Sequence, residues 1–114
     1  MAISRMVRNL LENAVRHADS RVTLAVASSD GTALLTVSDD GPGIPPADRT
    51  RVFERFVRLD SDRARSGGGA GLGLAIVAEV VAAHGGTVTV GDRPGGGTRM
   101  SVSLPGFEPQ HGSR

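Results

Sequence analysis

The sequence predicts a two-layer α/β sandwich, with helices packed on one face of a sheet. Three observations carry that expectation: two segments of helical periodicity, a pair of short β-like runs after each, and a glycine- and proline-marked stretch between the halves. The 114 residues suffice for one domain and are too few for two independent cores.

In residues 3–18, Met6, Val7, Leu10, Leu11, Ala14, Val15 and Ala18 recur at helical spacing, with Ser4 as N-cap. Residues 22–27 and 33–38 are β-like runs joined around Asp30-Gly31, a strong hairpin signal. The run Gly41-Pro42-Gly43-Ile44-Pro45-Pro46 fits neither helix nor central strand and reads as an ordered loop. Residues 47–57 read as one or two helical turns carrying Phe53 and Phe56. Residues 60–71 are polar, end in repeated glycines, and are expected to be mobile.

Residues 72–84 predict a second helix, closed by Gly85-Gly86. Residues 87–90 and 99–104 predict two more strands around a Gly95-Gly96-Gly97 turn. A domain of residues 1–105 is then followed by a flexible tail, 106–114, without periodicity.

Composition removes several classes of function. A net charge of +1 argues against a broad electrostatic nucleic-acid binder. The absence of cysteine excludes disulfides, thiolate metal sites and Cys nucleophiles. All thirteen basic residues are arginine, so a Walker A loop, a protein-kinase strand lysine and a Schiff base are excluded as well. The longest apolar stretch is broken by Gly73 and Glu79 and is too short to span a membrane, and no signal-peptide pattern opens the chain.

Three weak elements remain. Asn9, Asn13 and Arg16 share one face of the first helix, where an amide oxygen suits one vertex of a phosphate-bound Mg²⁺ and a guanidinium suits phosphate. A plain exposed polar face is the alternative. Asp39-Asp40-Gly41-Pro42-Gly43 follows a strand, so a carboxylate there could accept from a base's exocyclic amine; an ordinary acidic turn is the alternative. The run Gly67-Gly68-Gly69-Ala70-Gly71-Leu72-Gly73-Leu74 leads into a helix, where backbone N–H groups can approach phosphates, and a flexible linker is the alternative. No G-x-G-x-x-G spacing occurs, which disfavours a Rossmann site.

Their order is more specific than any one of them. The chain resembles the ATP-binding catalytic domain of bacterial two-component sensor histidine kinases, within the gyrase, heat-shock-90, histidine-kinase and MutL superfamily. The family's N box resembles residues Asn9 to His17 (NLLENAVRH), and its G1 box Asp39 to Pro45 (DDGPGIP). The F box is similar to Val52 to Arg58 (VFERFVR), the G2 box to Gly69 to Val77 (GAGLGLAIV), and the last motif to Gly97-Thr98.

The resemblance implies a Bergerat-type fold, with helices on one face of a mixed sheet that lacks an N-terminal strand. It implies ATP and Mg²⁺ as cofactors, Asn13 as the Mg²⁺ ligand, and Asn9 on the same face. Asp39 would accept from the adenine amine, with Thr98 holding a water beside it. Gly41 and Gly43 would shape the base pocket, Ile44 would belong to the ATP site, and His17 would wall the pocket beside the phosphates. Arg16, where the family usually has lysine, would reach the phosphates, as would Arg58 and Arg63. Gly69, Gly71, Leu72, Gly73 and Leu74 would complete the ATP site through the G2 box, while Phe53 and Phe56 would anchor the lid. No catalytic residue is assigned.

The implied reaction is donation of the γ-phosphoryl group to a histidine on a separate dimerisation and phosphoacceptor domain, and through it to a response regulator. The implied setting is cytoplasmic, including the cytoplasmic part of a membrane-bound kinase. A non-catalytic or truncated ATP-binding regulatory module is the alternative. Hydrolytic members of the superfamily resemble one another in having a Glu four residues before the Mg²⁺ asparagine; here Asn9 stands there, and Glu12 is turned about 100° away. None of His17, His84 and His111 has an acidic neighbour in sequence, so self-phosphorylation is not expected.

Overall fold

The computed structural model describes residues 2–54 and 73–106. In chain order these form α1 (Ala2–His17), β1 (Val22–Ser29), β2 (Thr32–Asp39), 3-10 turns at Pro46–Asp48 and Arg51–Phe53, α2 (Gly73–Ala83), β3 (Thr87–Asp92) and β4 (Thr98–Pro105).

The expected sandwich forms, with strand order β1-β2-β4-β3. The sheet is antiparallel in all three pairings rather than mixed. Two of those pairings are hairpins, and the crossover through α2 carries the chain past β2 so that β4 enters between β2 and β3. The parallel pair β2 and β3 are therefore never neighbours. Asp30 and Gly31 both have positive φ (53° and 77°), as a two-residue type I′ hairpin requires.

Met6, Leu10 and Ala14 of α1 and Val77 and Val81 of α2 pack on Leu35 and Val37 of β2 and Met100, Val102 and Leu104 of β4. The register places Leu35 opposite Val102 and Val37 opposite Met100, so one sheet face is apolar. Thr36 opposite Ser101 marks the polar reverse face. Non-polar burial of this kind contributes roughly 1.5–3 kcal/mol per large side chain, and the five residues buried deepest, Met6, Leu10, Val77, Val81 and Val102, come from both layers.

α2 ends in a Schellman motif: Gly85 takes φ 73°, its N–H donates to Ala82, and the Gly86 N–H donates to Val81. Ser4 lies inside the first turn of α1 and so is no N-cap; the helix begins two residues earlier. Pro105 closes β4, opposite Thr32. Proline is tolerated there because it sits at the strand's end. Residues 107–114 of the expected tail, Phe56 and the expected mobile segment lie outside the described residues.

β1 is an edge strand, and almost all of it is exposed. Leu24 and Val26 share the helix-side face with Val37 and Leu35, yet Val26 is 70% exposed because α1 lies mainly over β2. Along α1, Val7, Leu11 and Val15 line an apolar groove bounded by Arg8, Glu12 and Arg16.

Candidate nucleotide-binding site

One end of the sheet brings the polar residues together. Asp39 is the last residue of β2 and Thr98 the first of β4, and their register pairs them directly. Both are buried, at 4% and 5% exposure. The Gly41 N–H donates to Asp39 Oδ1 at 2.9 Å. Burial pushes the Asp39 carboxyl above its ordinary range; the Gly41 N–H, the His17 ring and the Thr98 N–H oppose that rise, while the Asp40 charge adds to it. Asp39 is thus a carboxylate held in place by backbone donors.

Glycines make this closeness possible. A Cβ on Gly41 would collide with the His17 carbonyl, and one on Gly97 with the Asp39 carbonyl. Gly97 also has φ 116°, a region that L side chains rarely adopt. Gly43, at φ 82°, lies close enough for a Cβ to sit 3.5 Å from the Gly97 carbonyl oxygen. His17, Asp39, Gly41, Gly43, Gly97 and Thr98 therefore form one cluster.

α1 reaches this cluster at its C-terminal end. His17 Nδ1 lies 2.8 Å from the Asn13 carbonyl, which can only accept, so the proton is on Nδ1. Asn13 and Asn9 are half-buried on consecutive turns. The Asn9 Nδ2 is fully buried with no hydrogen-bond partner. An amide donor left unsatisfied in this way fits an oxygen acceptor supplied by a ligand.

Two clasps hold the surrounding loops. Asp40 Oδ1 accepts from the N–H groups of Asp19, Ser20 and Arg21 at 2.9, 2.9 and 3.0 Å, and its Oδ2 accepts from the Ser20 hydroxyl at 2.6 Å. That hydroxyl, followed by the Ser20 and Arg21 N–H groups, holds the Asp40 carboxyl far below its ordinary range. On the other side, Arg49 Nε donates to the Ile44 carbonyl at 2.9 Å and Nη2 pairs with Asp92 at 2.6 Å. Arg49 thereby ties the glycine-proline loop to the end of β3. Nothing in the sequence distinguishes Arg49 among thirteen arginines. Asp40, directly after a strand and before a glycine, did carry an acidic-turn signal.

Not every expected residue joins the cluster. Arg16 is exposed and borders the apolar groove. Ile44 and Leu74 pack against the hydrophobic core, and Gly73 is the exposed first residue of α2. Arg58, Arg63, Gly69, Gly71 and Leu72 lie outside the described residues. Among the described residues no group of three or more His, Asp or Glu could hold a metal. The polar side chains of α1 here are neutral amides, a set that fits a cation arriving already bound to phosphate better than one caged by protein alone.

A buried carboxylate at a strand end, two asparagines on the facing helix and an α/β sandwich with helices on one face define a nucleotide-binding domain of the Bergerat type. The model of the histidine kinase-, DNA gyrase B- and HSP90-like ATPases matches residues 1–107, and the chain belongs to that family. It is 50% identical over 103 residues to the sensor protein RstB of Escherichia coli, covering 90% of this chain and 24% of that protein. It is also 50% identical over 118 residues to the histidine-protein kinase/phosphatase MprB of Mycolicibacterium vanbaalenii, covering 97% and 24% respectively.

Among solved structures, the mycobacterial sensor histidine kinase MprB matches with TM-score 0.80 and 41% identity, over 95% of this chain and 72% of that one. Full-length ShkA in complex with AMPPNP matches with TM-score 0.79 and 38% identity, over 91% and 21%. The chain spans about a quarter of the length of the curated relatives it matches. Among the described residues, no helix is long and apolar enough to cross a membrane.

Proposed function

We propose that this chain binds Mg-ATP between α1 and the β2–β4 end of the sheet, and donates the γ-phosphoryl group to a histidine on a separate phosphoacceptor domain. The observation that carries the reading is the buried Asp39 carboxylate beside Thr98, an acceptor of the kind a base's exocyclic amine would need. Asn13, with Asn9 beside it, would hold the Mg²⁺ that arrives with the phosphates. Arg16 would reach the phosphates by swinging its long side chain from the groove's border, joined by Arg58 and Arg63. The metal, when bound, supplies charge neutralisation on the phosphate oxygens.

In the transfer the bond from the γ-phosphorus to the bridging oxygen breaks, a bond to the acceptor imidazole nitrogen forms, and ADP leaves. The chain's own part is to orient the nucleotide and stabilise charge. Asn9, standing where hydrolytic relatives resemble one another in having Glu, favours transfer over hydrolysis. The likeness to sensor kinases supports a cytoplasmic setting for such a domain, with the phosphoacceptor domain supplied in cis or in trans.

Radiolabelled ATP tests the reading. Incubated with a histidine-kinase dimerisation domain, the chain is expected to place acid-labile phosphate on that partner and none on itself. Label on this chain alone, or tight ATP binding with no label on a cognate partner, would overturn it.

A further inference from the structure

The geometry points to Asp40 as a positioning residue that fixes the distance between the base end and the phosphate end of the nucleotide site, an inference that rests on the ATP reading above. Asp39, at the base end, closes β2. Asn13, at the phosphate end, lies in the last turns of α1. Between them the chain runs through the turn of residues 18–21 and the whole β1–β2 hairpin, so covalent connection alone sets their spacing loosely.

Asp40 shortens that path. Its carboxylate gathers three consecutive N–H groups and the Ser20 hydroxyl, and its own N–H donates to the Arg21 carbonyl at 3.2 Å. The turn so held is continuous with α1, because the Ala18 N–H still donates to Ala14 at 2.8 Å. On its other side Asp40 is the direct neighbour of Asp39 and of Gly41, whose missing side chain lets the loop lie on the His17 carbonyl. Helix end, turn and loop become one block.

The contacts are solvent-exposed, so water can replace the carboxylate if it is removed. Loss of Asp40 should therefore loosen the block more than unfold it. The division of oxygens is specific: Oδ1 takes all three N–H groups and Oδ2 takes only the hydroxyl. An asparagine keeps one acceptor oxygen for the three donors, and its amide can face a hydroxyl that rotates to accept.

The test compares wild type, Asp40→Asn and Asp40→Ala for binding of ATP, which spans both ends of the site, and adenosine, which occupies only one. Both are titrated by NMR below each variant's melting midpoint. Asp40→Ala is expected to weaken ATP at least tenfold while changing adenosine less than threefold, with Asp40→Asn within threefold of wild type for both. Unchanged ATP affinity in Asp40→Ala overturns the inference, and so does equal loss for ATP and adenosine, an Asn variant as weak as Ala, or an Ala variant unfolded at every temperature. A wild-type chain that binds no ATP overturns the ATP reading itself, and this inference falls with it.

Discussion

Asp39 and Thr98 stand directly opposite one another across the β2–β4 pairing, both nearly inaccessible, at the end of the sheet where α1 terminates. A carboxylate in that position is costly to the fold, because burial disfavours its charged form. Function offers a reason to keep it there.

Asp39→Asn therefore has two expected effects of opposite sign. Adenine presents amino hydrogens where guanine presents a carbonyl, and a charge-assisted hydrogen bond is worth ~1.5–3 kcal/mol. Wild type should prefer ATP over GTP at least tenfold, and the variant should lose most of that preference. Equal ATP and GTP affinities in wild type would sink the base assignment.

The second effect is on stability. The folded carboxyl titrates above its unfolded value, so its contribution is fully present at acidic pH and is lost as pH rises through the folded value. The asparagine does not titrate. Thermal melts should show the variant gaining on wild type between acidic and neutral pH; a variant that loses ground to wild type on that path would contradict the burial argument.

Gly97→Ala should destabilise by at least ~2 kcal/mol, since its Cβ meets the Asp39 backbone at a positive φ. Gly96→Ala has the same sign of φ (113°) but open space, so it should cost only the strain, ~1–2 kcal/mol. Urea unfolding of the two variants checks the difference. Equal costs would mean that the close approach is unimportant.

On the proposed reading, Asn13→Asp adds a negative charge beside the phosphates. ATP affinity at low Mg²⁺ should fall at least tenfold and recover in part as Mg²⁺ rises. Calorimetric titration at two metal concentrations is decisive, because a loss independent of Mg²⁺ would remove position 13 from the metal's surroundings.

Val26→Lys should change stability by no more than ~0.5 kcal/mol, because Val26 is 70% exposed on an uncharged edge strand. Its cross-strand neighbour Leu35 is buried, so Leu35→Lys serves as the contrast and should not fold. Comparable melting midpoints for the two would contradict the placement of β1 at the edge.

Much of this architecture is legible in the sequence because local chemistry and global packing agree. Asp30-Gly31 dictates a tight hairpin, Gly85-Gly86 dictates a helix stop, and the spacing of Met6, Leu10 and Ala14 dictates the buried face of α1. The antiparallel order was not legible, since no short-range signal says that β4 enters between β2 and β3. At the site, Asp39 and Asn13 stand out through the order of the motifs that hold them, each being weak alone. Arg49 does not: its role arises from meeting Ile44 and Asp92, and no local pattern encodes that meeting.

The β2–β4 seam also has a kinetic meaning. Each hairpin closes a short loop, but even the nearest partners across β2 and β4, Asp39 and Thr98, are about sixty residues apart in sequence, so this seam carries a larger loop-closure entropy than either hairpin. The two halves of the proposed base pocket thus belong to segments that can fold locally without creating it. A bound nucleotide would grip both sides of the seam at once, acting as a brace against its opening, and the protein's unfolding rate should slow with ligand even where its folding rate does not.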